Sequence, residues 1–154
     1  MVIETPAGSR LKFKFEPKSG VFKLHKAMAQ GFSYLVPFGF IPRTKGSDGD
    51  PLDVLLITTL APPVGTVADT TIIGALLVER RRRCTADQER PLPCRAEPRA
   101  RGSTDTSIAE MPAAELDDLE RFFVQSGERD CKRLRILGHA NAEEALRLIR
   151  ASMV

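Results

Sequence analysis

The residues with the clearest chemical potential are Asp48–Gly49–Asp50–Pro51–Leu52–Asp53, three carboxylates within six positions. Hard divalent cations take oxygen ligands, and Mg2+ accepts a few carboxylates together with waters and phosphate oxygens. Gly49 and Pro51 bend the chain so that the carboxylates can converge. Carboxylates so crowded resist ionisation unless a cation lies between them. An EF-hand is excluded, because its loop needs glycine at the sixth position, where Asp53 stands. From the residues alone a second reading stays open: a solvated acidic turn whose aspartates accept from backbone amides. The three cysteines, Cys84, Cys94 and Cys131, match neither a metal knuckle nor a disulfide framework and read as free thiols.

The elements that must carry this loop are mostly strands. Leu11, Phe13 and Phe15 alternate with Lys12, Lys14 and Glu16, which gives one apolar and one polar face at period two. Val2–Ile3, Val21 to Leu24 and Phe38 to Pro42 are further short strands. The branched runs Asp53 to Thr59 and Thr70 to Glu79 are the strongest strand candidates. Gly20 and Pro62–Pro63–Val64–Gly65 mark turns. Short strands with frequent turns predict a barrel or sandwich. Arg80 to Gly102 holds eight arginines and three prolines and reads as a long exposed loop, since unpaired guanidinium groups are costly to bury.

Two helices follow. Pro112 suits a first helical position, Leu116, Leu119, Phe122 and Phe123 form an apolar stripe, and Gly127 marks a stop. Lys132 to Leu137 alternates basic and apolar residues like a last strand. Asn141, with Glu144 three residues on, then caps a helix that buries Ala145, Leu148, Ile149 and Ser152.

At 154 residues, 42% hydrophobic and 28% charged, the chain makes one domain with a real core. A net charge of +3, one tyrosine and no tryptophan give little footing for nucleic acid, which is not expected as a partner. No apolar run approaches the roughly 20 residues that span a bilayer. Met1 to Lys14 lacks a signal pattern. A soluble, cytoplasmic protein is expected.

The order of these pieces resembles soluble family I inorganic pyrophosphatases. Val2–Ile3–Glu4–Thr5–Pro6, Gly8–Ser9, Lys12–Phe13 and Ser19–Gly20–Val21–Phe22–Lys23–Leu24 resemble the start of that family. Tyr34, Phe38–Gly39–Phe40–Ile41–Pro42 and Asp48 to Leu55 resemble its signature region. Pro63–Val64–Gly65–Thr66–Val67, Ile73–Gly74–Ala75–Leu76, Phe122–Phe123 and Asn141 to Ala145 continue in the right order.

The resemblance implies a single domain, mainly β with α, built as a five-stranded OB-like barrel with two packed C-terminal helices. It implies Mg2+-dependent hydrolysis of inorganic diphosphate to two phosphates, and a homo-oligomer such as a hexamer. Asp48 and Asp53 match metal ligands, and Asp50 matches the residue that orients or deprotonates the attacking water. Lys12, Lys26 and Tyr34 match substrate-binding positions, Lys26 standing where arginine is usual, and Glu4 matches an acidic residue lining the site. Read on their own, Glu4 and Lys12 also fit a solvent-facing strand, and Tyr34 fits a core aromatic.

Departures accompany the match. Lys14 stands where that family has a site glutamate, and Phe38 replaces a tyrosine. The positions of two further acidic clusters fall on Arg80–Arg81 and near Thr85, with Glu79, Asp87 and Glu89 as nearby acids. Ser126 and Gly127 stand where a tyrosine and a lysine grip phosphate. Together these imply impaired turnover. The alternative is a catalytically inactive relative that binds phosphate-bearing ligands through Arg80–Arg83, because guanidinium groups bind phosphate bidentately. A third reading is an inactive scaffold.

Overall fold

The structure, a computed structural model, describes residues 1–47, 49–82, 85–89, 92–95, 107–129 and 133–154. The first strands are β1 (Val2–Thr5) and β2 (Leu11–Glu16); β2 is partly buried on both faces rather than alternating between inside and outside. After a turn at Gly20, β3 (Val21–Ala27) runs back antiparallel to β2. β4 (Phe38–Phe40) and β5 (Asp53–Ile57) flank the acidic loop. β5 is buried along almost its whole length, as its continuous apolar run requires.

The Thr70 to Glu79 stretch divides into β6 (Thr71–Ile72) and β7 (Gly74–Arg82). The break falls at Ile73, whose carbonyl accepts from the Ile108 amide at 2.9 Å. Ile108 begins a 3-10 turn, Ile108–Glu110, with a capping box: Ser107 accepts from Ala109 and Glu110 accepts from the Ser107 amide. The turn lies tight on the chain, since a Cβ at Gly74 would sit 2.6 Å from Ile108 Cγ2.

Helix α1 (Ala113–Arg129) buries Leu119 and Phe122 and exposes Glu115, Asp118 and Arg121. It runs past Gly127 rather than stopping there. One glycine costs a helix only about 1 kcal/mol against alanine, which a packed apolar stripe outweighs. β10 (Arg133–Asn141) pairs antiparallel with β7. Asn141 then caps α2 (Ala142–Ala151), its Oδ1 accepting from the Glu144 amide at 2.9 Å, and α2 buries Ala145.

The segment expected to be a long loop at 80–102 is partly strand. β7 extends to Arg82, β8 (Thr85–Glu89) pairs antiparallel with it, and β9 (Leu92–Arg95) lies parallel to β5 and antiparallel to β6. Positions 83, 84, 90, 91 and 96–102 lie outside the described residues. Main-chain pairing is indifferent to side-chain charge, so arginine content did not forbid a ladder.

The fold is mainly β with two helices, but among the described residues the strands do not close into a five-stranded barrel. They form sheets ordered β1-β4-β5-β9-β6, β10-β7-β8 and β2-β3. Closure fails because the far edge of β1 is already used. Ile3 donates to Thr66 O and accepts from the Gly65 amide, both at 2.9 Å. The β2-β3 ribbon is attached to β1 through side chains instead: Phe13 N–H donates to Thr5 Oγ1 and Phe15 N–H to Glu4 Oε1. On the other side of β1, Gly39 permits close approach, since a Cβ there would lie 2.0 Å from Val2 O.

The core has an aliphatic part around Ile3, Val54, Leu56 and Ala75 and an aromatic part around Tyr34, Phe38, Leu76 and Phe122. No helix among the described residues is long and apolar enough to cross a membrane.

Candidate active site

The acidic loop is held at its base. Ile41 donates to Leu52 O at 3.0 Å, bringing the two limbs together one residue beyond β4 and β5. Inside this ring Thr44 is 4% exposed. Its hydroxyl donates to Ile41 O at 2.6 Å and accepts from the Leu52 amide at 2.9 Å. Gly46 donates to Asp50 O, and Gly49 takes a φ of 87°, which only glycine adopts without cost. From outside, Lys45 donates to Ser152 O and Val154 to Arg43 O, so the end of the chain braces the loop. Nothing in the apolar periodicity marks Thr44; its only signal is a hydroxyl between breakers, common in loops.

Asp50 lies on this scaffold half-buried, with its Oδ2 2.5 Å from Lys14 Nζ. Asp53 opens β5 opposite Phe40 and is also half-buried. Asp48 lies outside the described residues. Across from the loop stands the polar face of β2. Lys12 is directly opposite Lys26 on β3, and Lys14 is opposite Lys23. Like charges facing each other across strands repel, so a face of this kind is suited to an anion. Lys12 Nζ sits 4.8 Å above the centroid of the Phe38 ring, a cation–π contact that fixes its stem while leaving an ammonium without the hydroxyl a tyrosine would add.

Glu4 is not a solvent-facing strand residue. It is 6% exposed, and its Oε1 accepts from the Phe15 amide at 2.7 Å. Burial pushes its carboxyl above the ordinary glutamate value. The Phe15 amide and the ammonium groups of Lys12 and Lys14 pull the other way, while Asp50 adds to the rise. Glu4 therefore lies within electrostatic reach of Lys12, Lys14 and Asp50.

Tyr34 is in the aromatic core, also 6% exposed, with its ring 5.8 Å from Phe38 and 5.4 Å from Phe122. The ring packs on Phe38, above whose own ring Lys12 Nζ lies.

Among the described residues no three carboxylate, imidazole or thiolate side chains assemble as metal ligands. The donor chemistry at the loop is nonetheless that of a hard cation, since Asp50 and Asp53 offer only oxygen. Glu79 lies on β7, half-buried. Arg80 to Arg82 are in β7 and Asp87 and Glu89 in β8, while Arg83 lies outside the described residues.

A family model described as Inorganic pyrophosphatase matches residues 1–154. The chain belongs to the inorganic pyrophosphatase family. It is 32% identical over 148 residues to the inorganic pyrophosphatase of Bacillus sp. (strain PS3), covering 96% of this chain and 87% of that one. A second relative, from Geobacillus stearothermophilus, is also 32% identical over 148 residues, covering 96% of this chain and 87% of the relative. Among solved structures, the inorganic pyrophosphatase of Thermus thermophilus superposes with a TM-score of 0.88 at 28% identity, covering 99% of this chain and 87% of that one. The enzyme from Neisseria gonorrhoeae superposes at 0.87 with 27% identity, covering 98% and 86%. The activity of this pyrophosphatase is hydrolysis of pyrophosphate, an inorganic diphosphatase reaction.

Proposed function

We propose that the reaction takes place between the acidic loop and the lysine face of β2-β3, with Mg2+ as the cation. The observation that carries this reading is the contact of Asp50 on the loop with Lys14 on β2, the strand whose Lys12 stands opposite Lys26. Phosphoryl transfer between anions needs positioning and charge neutralisation more than covalent chemistry. Lys12 and Lys26 hold a phosphate group between opposed ammonium groups, relieving their mutual repulsion. Asp50 orients the attacking water and accepts its proton, the role of a general base. Asp48 and Asp53 hold Mg2+, which when bound supplies neutralising charge at the phosphate oxygens. Glu4 fixes the position of β2 through Phe15 and keeps Lys12 and Lys14 in register with the loop. Tyr34 shapes the floor under Phe38 and Lys12.

Turnover is reduced by the lysine and arginine substitutions around this set. The protein is cytoplasmic and assembles as a homo-oligomer, a hexamer by family likeness. Phosphate release from diphosphate, measured with and without Mg2+, tests the reading together with Asp50→Ala. Release is expected to require the metal and to fall at least about 100-fold in the variant, the contribution of a positioned general base. An undiminished rate in Asp50→Ala would remove Asp50 from the chemistry.

A further inference from the structure

The ion pair between Lys14 and Asp50 is poorly explained by stability. Its side chains are 42% and 50% exposed, and pairs that exposed contribute little to folding. Yet the ammonium rests 2.5 Å from Asp50 Oδ2, occupying an oxygen that a cation bound to this carboxylate would use. Lys14 reaches that point from β2, two residues beyond Lys12 and therefore on the same face. The same ammonium lies close enough to lower the proton affinity of Glu4. The site thus carries a positive charge of its own exactly where its carboxylates are.

We infer that Lys14 is a built-in counter-ion for Asp50, competing with a divalent cation for that carboxylate and adding one more ammonium to the anion-binding face. The inference rests on the location of the reaction given above and adds a positioning residue to it. Two effects of opposite sign follow. An ammonium beside the carboxylate repels a divalent ion twice as strongly as a monovalent one, so Lys14 weakens metal binding. The same charge attracts diphosphate, so Lys14 strengthens binding of the anion when no metal is present.

The test measures both in the purified protein, without turnover. Free Mn2+ is followed by electron paramagnetic resonance during titration, and diphosphate binding is followed by calorimetry in excess EDTA. In Lys14→Gln, Mn2+ affinity is expected to rise, and metal-free diphosphate affinity to fall about 10- to 100-fold, the value of one charge-assisted hydrogen bond. Lys14→Arg, which keeps the charge, is expected to restore both toward wild type. Merely loosening the loop would weaken both ligands together, and thermal melts of each variant check its folding. Unchanged or weaker Mn2+ binding in Lys14→Gln overturns the inference, as does undiminished diphosphate binding. Phosphate release by wild type and Asp50→Ala in the same preparations separates the two claims. Loss of release in Asp50→Ala with no effect of Lys14→Gln on either ligand leaves the site standing and removes only Lys14 from it.

Discussion

Glu4 shows how one buried carboxylate can join two strands. Its carboxylate accepts from the Phe15 amide, which would otherwise be left by β1 without a ladder partner on that side, and it pays for this with burial. The raised proton affinity has a definite consequence for stability. Above the ordinary value of 4.5 and up to the raised folded value, the folded state holds more protons on Glu4 than the unfolded state does. The Glu4 contribution to stability is therefore full below pH 4.5 and is lost as pH rises through the folded value. Glu4→Gln keeps an oxygen acceptor for Phe15 but cannot titrate. The unfolding free energy of wild type minus that of the variant is expected to decrease as pH is raised from 4.5, in paired denaturant melts. A difference that grows with pH would mean that the lysines, not burial, dominate this carboxyl. The sequence offered Glu4 as either a solvent-facing or a site-lining residue. Alternation in a strand of four residues is too short to decide between faces, and the bond to Phe15 depends on how the next strand is laid beside β1.

At the scale of elements, the acidic loop depends on Thr44. Its hydroxyl joins the Ile41 carbonyl to the Leu52 amide across the neck. Thr44→Val keeps the shape and removes both bonds, leaving a partly buried Leu52 N–H without its partner, a loss of about 1–3 kcal/mol. Thr44→Ser retains the hydroxyl and is expected to cost much less. Chemical denaturation of both variants checks the ordering, and equal losses would show that packing of the Thr44 methyl matters more than its oxygen. The carboxylate motif was legible because it is local: Gly49 and Pro51 turn the chain within the motif itself. So was the Asn141 cap, whose partner Glu144 is three residues away. The Ile108–Glu110 turn was not, because it docks on Ile73, far away in the chain. Thr44 was not, because a lone hydroxyl within the loop belongs to no apolar period that would mark it. The arginine-rich stretch misled for a different reason. Charge bears on burial, whereas β8 and β9 are defined by main-chain pairing. The expected barrel failed because the Gly65–Thr66 segment takes the free edge of β1, where a ladder would have closed the sheet.

The whole molecule brings three separately built pieces to one surface. The β2-β3 ribbon supplies the lysines, β1 ties that ribbon to the central sheet, and the β4-β5 loop supplies the aspartates. Between ribbon and loop the Lys14–Asp50 pair is half-exposed; on the proposed site, a bound anion and cation would join the contacts between the pieces. Ligand that binds only the folded chain stabilises it by mass action, about 2.7 kcal/mol at 100 times the dissociation constant. For a chain of 154 residues that corresponds to a rise in Tm of roughly 5–11 °C. Imidodiphosphate, whose bridging nitrogen resists hydrolysis, is the appropriate probe, added with Mg2+ and compared with Mg2+ alone in thermal melts. The rise is expected to shrink in Lys12→Gln and Lys26→Gln, which remove one ammonium each from the opposed pair. The expected pattern follows from a ligand bridging ribbon and loop. A full rise in the lysine variants would place the anion elsewhere on the molecule, and no rise in wild type would mean that ribbon and loop do not share a ligand.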